Sequence, residues 1–284
     1  MQNNVLRTLI INDGVSLTLA DTTEMVKESV RKHRLSKCSA LVLGKTLSAM
    51  TFMSACLKSN TGEISLSVRS DGQGGGIGVS GNAYLRLRGY VENTDIQDEI
   101  NAERLAYGKD AVLTIVRDDG YNRPFVGACA FPENGGVDEA FEEYFRISEQ
   151  LPTYLKTTVE FDENGEVSFA GVVALQPLPF ADEETLKLTQ TADLSALLQS
   201  VKTDGIERTA KTAFSCSSAV WELRFARYQC NCSKAYLRRV LVSLGETQVR
   251  EIIKEEGKLQ VHCHYCNTDY TFTEEDADAL FSKE

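Results

Sequence analysis

The chain has 284 residues, of which 42% are hydrophobic and 25% are charged, and these values exclude a mainly disordered or collagen-like protein. Its formal net charge of -11 repels phosphate backbones, so the composition argues against general nucleic-acid binding. In chain order, strands are predicted at residues 6–11 and 15–20, and a long apolar helix at residues 40–58. Because Lys45 and several Ser and Thr residues interrupt that helix, we predict a buried core helix rather than a membrane span.

A glycine-rich segment at residues 71–78 follows a short predicted strand at residues 64–68. It lacks the Gly-Lys-Ser/Thr ending of a phosphate-binding loop, and no clear helix follows it, so we predict a turn between strands. Further strands, an amphipathic helix at 137–149 and a hairpin at 157–173 complete a mixed α+β N-terminal domain over residues 1–180.

The composition changes after that domain. Residues 182–216 are mostly Leu, Thr, Ala, Ser and Gln, and the leucine spacing favours helices that a Thr-Asp-Gly sequence at 203–205 interrupts. Such helices are marginal by themselves and need another surface to pack on. We therefore predict a helical, metastable linker between domains.

The last segment, residues 230–284, is predicted to be a small separate domain. Ser233 can cap a helix that Gly245 ends, and a second apolar stripe ends at Gly257. Alternating residues then indicate a hairpin with residues 263–269 as its knuckle.

Four of the eight cysteines are concentrated in this small domain as a Cys-x-Cys pair and a Cys-x-x-Cys pair, namely Cys230, Cys232, Cys263 and Cys266. Zinc favours four ligands in a tetrahedron and accepts thiolates, so the spacing predicts one zinc ion per chain. Structural zinc contributes on the order of 10 kcal/mol of folding free energy, so the metal would decide whether the domain folds. Four thiolates leave no open coordination position, which argues against a zinc hydrolase.

The spacing alone leaves several functions open. A structural zinc ribbon with no redox response is the simplest, and a redox switch, a thiol oxidoreductase and a nucleic-acid ribbon are the alternatives. A switch is favoured because each pair can close its own disulfide and so release the metal, and Lys234 lies close enough in sequence to favour a thiolate. Four cysteines nevertheless allow three pairings, and the spacing does not choose between them. The residues after Cys266 do not open a helix, and the segment is more acidic than basic, which weakens the last two readings.

The histidines and the other four cysteines do not form a recognisable catalytic set. His262 and His264 flank Cys263 on a predicted strand, so we expect them on the opposite, exposed face rather than as ligands. Cys56 and Cys129 read as buried apolar residues, whereas Cys38 and Cys216 lie in more polar settings. We predict no enzyme, and, from the absence of an export signal at the start, a cytoplasmic protein with reduced thiols.

The cysteine motifs Cys230-Asn231-Cys232-Ser233 and Val261-His262-Cys263-His264-Tyr265-Cys266-Asn267 resemble those of the 33 kDa chaperonin (heat shock protein 33) family. Further matching blocks are spread along nearly the whole chain, at Leu43-Gly44, Arg88-Gly89-Tyr90, Tyr144-Phe145, Ser148-Glu149-Gln150 and Gln176-Pro177-Leu178-Pro179.

The resemblance implies a redox-regulated holdase chaperone, active against protein unfolding under oxidative stress. It implies that the reduced protein binds zinc through the four cysteines and is inactive. It also implies that oxidant forms the disulfides Cys230–Cys232 and Cys263–Cys266, expels zinc, loosens the linker and makes apolar surface available to unfolding client proteins. The active form would be a homodimer, with no nucleic-acid or membrane partner.

Two features depart from the family pattern. Lys45 stands where the family often has Arg, and residues 212–227 fit the usual linker pattern poorly, with Cys216 an unexpected residue within them.

Overall fold

Helices and β-sheets occur together in the part of the chain that the computed structural model describes, residues 3–11, 13–97, 101–133, 135–213 and 222–282. This confirms the predicted α+β class. The chain divides into two compact units, Met1–Gln229 and Cys230–Glu284.

The first unit contains two sheets and the helices that pack on them. Its strands are β1 (Asn4–Ile10), β2 (Val15–Asp21), β3 (Glu63–Arg69), β4 (Ile77–Asn82), β5 (Arg86–Val91), β6 (Val112–Asp118), β7 (Phe125–Ala130), β8 (Tyr154–Phe161), β9 (Val167–Pro177), β10 (Glu222–Phe225) and β11 (Arg227–Tyr228). Its helices are α1 (Thr23–His33), α2 (Lys37–Ala55), α3 (Ala102–Tyr107), α4 (Val137–Tyr144) with a π-helical turn at Phe145–Glu149, α5 (Glu183–Gln190), α6 (Leu194–Asp204) and α7 (Ile206–Ala213).

The second unit is smaller and contains α8 (Lys234–Leu244), α9 (Glu246–Glu256), β12 (Leu259–Cys263), β13 (Thr268–Phe272) and α10 (Glu274–Phe281). Strands β12 and β13 form an antiparallel hairpin of their own.

The two sheets of the first unit have the orders β10-β1-β2-β9-β8 and β11-β5-β4-β3-β6-β7. All pairs are antiparallel except β11 with β5. The first two strands and the later hairpin lie where the alternating sequence predicts them, with ends shifted by a few residues. Asn12, part of the predicted turn between β1 and β2, lies outside the described residues.

Helix α2 lies at the centre of the unit and contacts strands of both sheets. Ser36 caps it by accepting a hydrogen bond from the Ser39 backbone N–H, and the helix ends at Ala55, before the predicted end at residue 58. Its length and composition would suit a membrane span, yet 94% of its most apolar window is buried inside the protein. The predicted core helix is therefore confirmed. Gly44 allows the close packing, because a β-carbon there would lie 2.8 Å from Val26 and Val159.

The glycine-rich segment at residues 71–78 forms the turn between β3 and β4, as predicted. Gly75 has a φ of 64°, a left-handed conformation that glycine adopts without strain. A β-carbon on Gly72 would lie 2.5 Å from the backbone around Ala106, so the close approach of two backbones requires glycine there. This close packing against α3 explains the glycines without a bound phosphate.

The predicted linker, residues 181–229, belongs to the first compact unit. Helices α6 and α7 cover the outer face of the first sheet, where their apolar side chains join those of β1, β2 and β9 in a second core. That core contains Leu6, Leu17, Leu19, Val173, Leu175, Leu197, Leu198, Val201, Ile206 and Ala210. Residues 214–221, including Cys216, lie outside the described residues, and the role of the segment as a separate linker stays a prediction.

Residues 222–229, here called the bridging segment, connect the edges of both sheets. Strand β10 pairs with β1 of the first sheet, and β11 pairs with β5 of the second. The backbone N–H of Gln229 donates to the Leu87 carbonyl at 2.7 Å, and the Tyr228 hydroxyl donates to the Gly89 carbonyl at 2.7 Å. Arg224 donates to two further carbonyls, those of Ala83 and Ala55. The end of the first unit is thus fixed by main-chain pairing rather than by apolar contact alone.

A buried ion-pair cluster joins α2, α3, α4 and β8. The Lys45 ammonium contacts a carboxylate oxygen of Glu103 at 2.5 Å and one of Asp138 at 3.4 Å, and Lys156 contacts Asp138 at 3.2 Å. Burial by itself would lower the pKa of Lys45, but the two carboxylates more than offset this and raise it above its usual value. The charge on Lys45 is therefore required where it lies.

We expect Lys45→Met to lower the free energy of unfolding by about 3 kcal/mol, because it leaves buried carboxylates without their central cation. Lys202→Met is the matched control: Lys202 pairs with Glu160 at 2.6 Å but its side chain is 37% exposed, so its loss should cost less than about 1 kcal/mol. Urea denaturation of the reduced full chain, followed by circular dichroism, measures both. Equal effects of the two substitutions would contradict a structural role for the buried cluster.

Candidate metal centre

The second unit folds around a small apolar core, which consists of Leu241, Val249, Ile253, Leu259, Phe272 and Ala277. The predicted ends of the helices are confirmed. Ser233 accepts a hydrogen bond from the Tyr236 N–H at the start of α8, and Gly245 and Gly257, which have positive φ angles, follow the last residues of α8 and α9. The short helices and short hairpin bury little apolar surface, so the unit is at most marginally stable from packing alone.

The hairpin knuckle positions the second cysteine pair. Cys263 ends β12, and its carbonyl accepts backbone hydrogen bonds from Cys266 at 3.3 Å and Asn267 at 2.8 Å. Asn267 takes the left-handed conformation that this tight turn requires, with a φ of 53°. The chain therefore reverses within one turn, and the thiols of Cys263 and Cys266 lie close together.

The first cysteine pair lies in the extended segment before α8. Its thiols meet those of the knuckle: Cys230 Sγ is 3.7 Å from Cys263 Sγ, and Cys232 Sγ is 3.1 Å from Cys266 Sγ. All four sulfur atoms lie within 4.8 Å of one another. Sulfurs bound at about 2.3 Å to one zinc ion in a tetrahedron are about 3.8 Å apart. The donor set and its spacing therefore fit a tetrahedral thiolate site.

Three comparisons place this chain among known proteins. A model of the family described as Hsp33 protein matches residues 3–273. A 33 kDa chaperonin of Bacillus licheniformis is 33% identical, over 95% of this chain and 96% of that protein, and one of Clostridium perfringens is 29% identical, over 100% and 92%. The chain belongs to the Hsp33 family.

The fold agrees with this assignment. The crystal structure of the 33 kDa chaperonin (heat shock protein 33 homologue) of Thermotoga maritima superimposes with a TM-score of 0.83 at 24% identity, and covers 99% of this chain and 98% of that one. The relatives' names make this a family of chaperones rather than of enzymes, which agrees with the sequence prediction at that level.

Two hydroxyl groups on β13 contact the thiols of this Hsp33-family chain. The Tyr270 hydroxyl lies 3.2 Å from Cys232 Sγ, and the Thr268 hydroxyl lies 3.3 Å from Cys266 Sγ. Sequence reasoning missed both. The signal was present, since alternate residues of a strand share a face and β13 directly follows the knuckle.

The surroundings of the thiols shift their pKa values in different directions. Burial raises the pKa of Cys230, and also raises the pKa of Cys266 to about 11. Burial opposes ionisation of Cys232 as well, but hydrogen bonds from Tyr270 and the neighbouring thiols lower its pKa to about 7. Among Cys230, Cys232 and Cys266, Cys232 is therefore the thiol that this arrangement best stabilises as a thiolate.

The other predicted side chains fall outside the cluster. His262 and His264 are exposed, as expected, and His262 Nδ1 lies 2.8 Å from an Asp269 carboxylate oxygen. The Lys234 ammonium pairs with Asp276 at 2.9 Å, and its influence on the thiols stays a prediction. Of the scattered cysteines, Cys38 and Cys129 are buried and Cys56 is half-buried, while Cys216 lies outside the described residues.

Helix α10 was not predicted, although Thr273 and Asp276 form a capping box that signals its start. Asp276 also accepts hydrogen bonds from Lys234 and from Arg238, each at 2.9 Å, and these two cations lower its pKa to about 2. This one carboxylate therefore connects the start of α10 to α8.

We expect Asp276→Asn to weaken the attachment of α10 by about 1 kcal/mol, because two ion pairs are lost while the cap acceptor remains. Amide exchange in residues 234–281 of the reduced full chain, measured by mass spectrometry, should become about fivefold faster. Asp278→Asn is the control, since Asp278 is 66% exposed and its partner Arg250 also contacts Glu246 at 2.9 Å. Faster exchange in both variants alike would argue against a special role of Asp276.

Proposed function

We propose that this chain is a redox-regulated holdase that binds unfolding proteins and prevents their aggregation under oxidative stress. In the reduced, inactive state, Cys230, Cys232, Cys263 and Cys266 hold one Zn²⁺ ion. Oxidant forms the disulfides Cys230–Cys232 and Cys263–Cys266, releases the metal and activates the protein. The single observation that supports this is the convergence of four thiols from two distant segments of a marginally stable unit.

The four thiolates would be the zinc ligands. A bound zinc ion supplies a cross-link between the extended start of the unit and its hairpin knuckle. The rest of the unit adds only a six-residue buried core, so most of its folding free energy would depend on that cross-link. A complete set of four thiolates has no position for substrate, which supports a chaperone without catalytic turnover.

The pairing of the disulfides decides whether oxidation loosens the unit. In the reduced arrangement the short sulfur–sulfur distances join Cys230 to Cys263 and Cys232 to Cys266. Disulfides across those contacts would replace the metal as a cross-link and keep the unit closed. Local pairs, 230 with 232 and 263 with 266, would instead separate the two segments, so only the local pairing turns loss of zinc into unfolding.

The first unit contains a surface that such unfolding would release. Gln229, the last residue of the bridging segment, is covalently joined to Cys230. Earlier in the chain, α6 and α7 cover apolar side chains of the first sheet, including Leu17 and Leu175. If loosening of the second unit spreads into residues 181–229, this apolar face becomes available to clients. We further propose that the active form is a homodimer in the cytoplasm, with neither nucleic acid nor membrane as a partner.

We expect peroxide at elevated temperature to release one zinc ion per chain, detected with a colorimetric chelator, as four thiols are lost. The treated protein should then suppress the aggregation of an unfolding client, whereas the reduced protein should not. Peptide mapping should recover the local disulfides. Retention of zinc with equal activity in both states would refute the proposal and favour a constitutive zinc-ribbon interaction protein. Recovery of the cross pairs would refute the unfolding step.

We expect Cys230→Ser to bind zinc at least about tenfold more weakly, since one of four thiolates is lost, and to increase amide exchange throughout residues 230–282. Cys129→Ser is the matched control: Cys129 is buried in β7 and its thiol donates to the Ala140 carbonyl, far from the cluster in sequence. It should retain one zinc ion per chain. Tight zinc binding by Cys230→Ser would exclude the four-thiolate site.

A further inference from the structure

The two hydroxyl groups on β13 each contact a cysteine of a different pair. Tyr270 contacts Cys232, a member of the first pair, whereas Thr268 contacts Cys266, a member of the second pair. Each proposed disulfide thus includes one sulfur with a hydroxyl neighbour.

We propose that Tyr270 is a positioning residue whose hydroxyl slows the oxidation of Cys232. It would thereby set the oxidant concentration at which the first cysteine pair responds. The inference rests on the proposed function, since it concerns thiolates held in the zinc-loaded, reduced state. A thiolate has no proton to donate, so in that state the phenol O–H donates to the sulfur.

The hydrogen bond acts on nucleophilicity. In the first step a lone pair of the Cys232 sulfur attacks one oxygen of hydrogen peroxide, the O–O bond breaks, hydroxide leaves, and a sulfenic acid remains. The Cys230 thiolate then attacks that sulfur, the S–O bond breaks, and a second hydroxide leaves. Overall, two thiolates give two electrons to one peroxide molecule. A donor directed at the Cys232 sulfur withdraws the electron density that the first step uses.

Tyr270 is built into the structure at this position. Its side chain packs against the small apolar core, and its strand position is fixed by pairing with Val261 of β12. The ring therefore cannot leave without disturbing the hairpin, while the hydroxyl extends beyond the core to the thiol. Removing the oxygen alone separates the chemical role from the packing role.

The test compares the zinc-loaded full chain with Tyr270→Phe and Thr268→Val variants during peroxide treatment. Samples are quenched with an alkylating reagent, and mass spectrometry follows the two cysteine pairs separately. We expect the first pair to oxidise about threefold faster in Tyr270→Phe, because the Cys232 sulfur loses a hydrogen-bond donor and becomes more nucleophilic, and we expect the second pair to oxidise at the wild-type rate. Thr268→Val should change the oxidation rate of the second pair and leave the rate of the first pair unchanged.

Two controls complete the test. Zinc content and competition with a chelator should show one ion per chain in each protein, and added zinc should not alter the rates, so that faster oxidation does not come from metal-free protein. Unchanged rates in Tyr270→Phe, or equal acceleration of both pairs, would overturn the inference.

The proposed function and this inference can fail separately. If the wild-type chain retains its zinc and thiols in peroxide, the proposed redox response fails. The contact is then tested by alkylation of the zinc-loaded protein with iodoacetamide, where Cys232 should react faster in Tyr270→Phe than in wild type. An equal alkylation rate would overturn the inference in that case too.

Discussion

Electrostatic repulsion between closely spaced thiolates is the constraint on which the second unit depends. Four sulfur atoms within 4.8 Å cannot all carry a negative charge in a partly buried site unless a cation neutralises them. The core around Phe272 is too small to oppose that repulsion. If the four cysteines hold a zinc ion, as proposed, folding of this unit and binding of the metal form one equilibrium, and any reaction that consumes thiolates acts on both.

The first unit meets a different physical requirement. It buries a long apolar helix between two sheets and covers the outer face of one sheet with α6 and α7. The burial of α2 belongs to the stable core, because strands of both sheets pack against this helix and Lys45 on it forms a buried ion pair. Helices α6 and α7 form a surface layer, and a layer of short helices can separate from a sheet without disrupting the core beneath it.

Much of this architecture was predictable from the sequence because local signals were strong. The apolar run gives α2, the glycines give the turn before β4, and the cysteine spacing places the four thiols together. The rest depends on long-range contacts that spacing does not encode. Examples are the pairing of β10 and β11 with strands far earlier in the chain, and the approach of Tyr270 to Cys232. Helix α10 is an exception, since the capping box of Thr273 and Asp276 is a local signal that marks its start in the sequence.

The bridging segment gives the first unit a cooperative edge. Its few residues pair with the first sheet through β10 and with the second through β11, and buried Ala226 lies between them. Because β10 and β11 are separated by a single residue, separation of one strand from its sheet removes a constraint on the other. Because the pairs β10–β1 and β11–β5 share one short segment, we expect them to open together as one cooperative unit of local unfolding. The strands β1 and β5 would then lose their edge partners in a single step, and each sheet would gain an open edge.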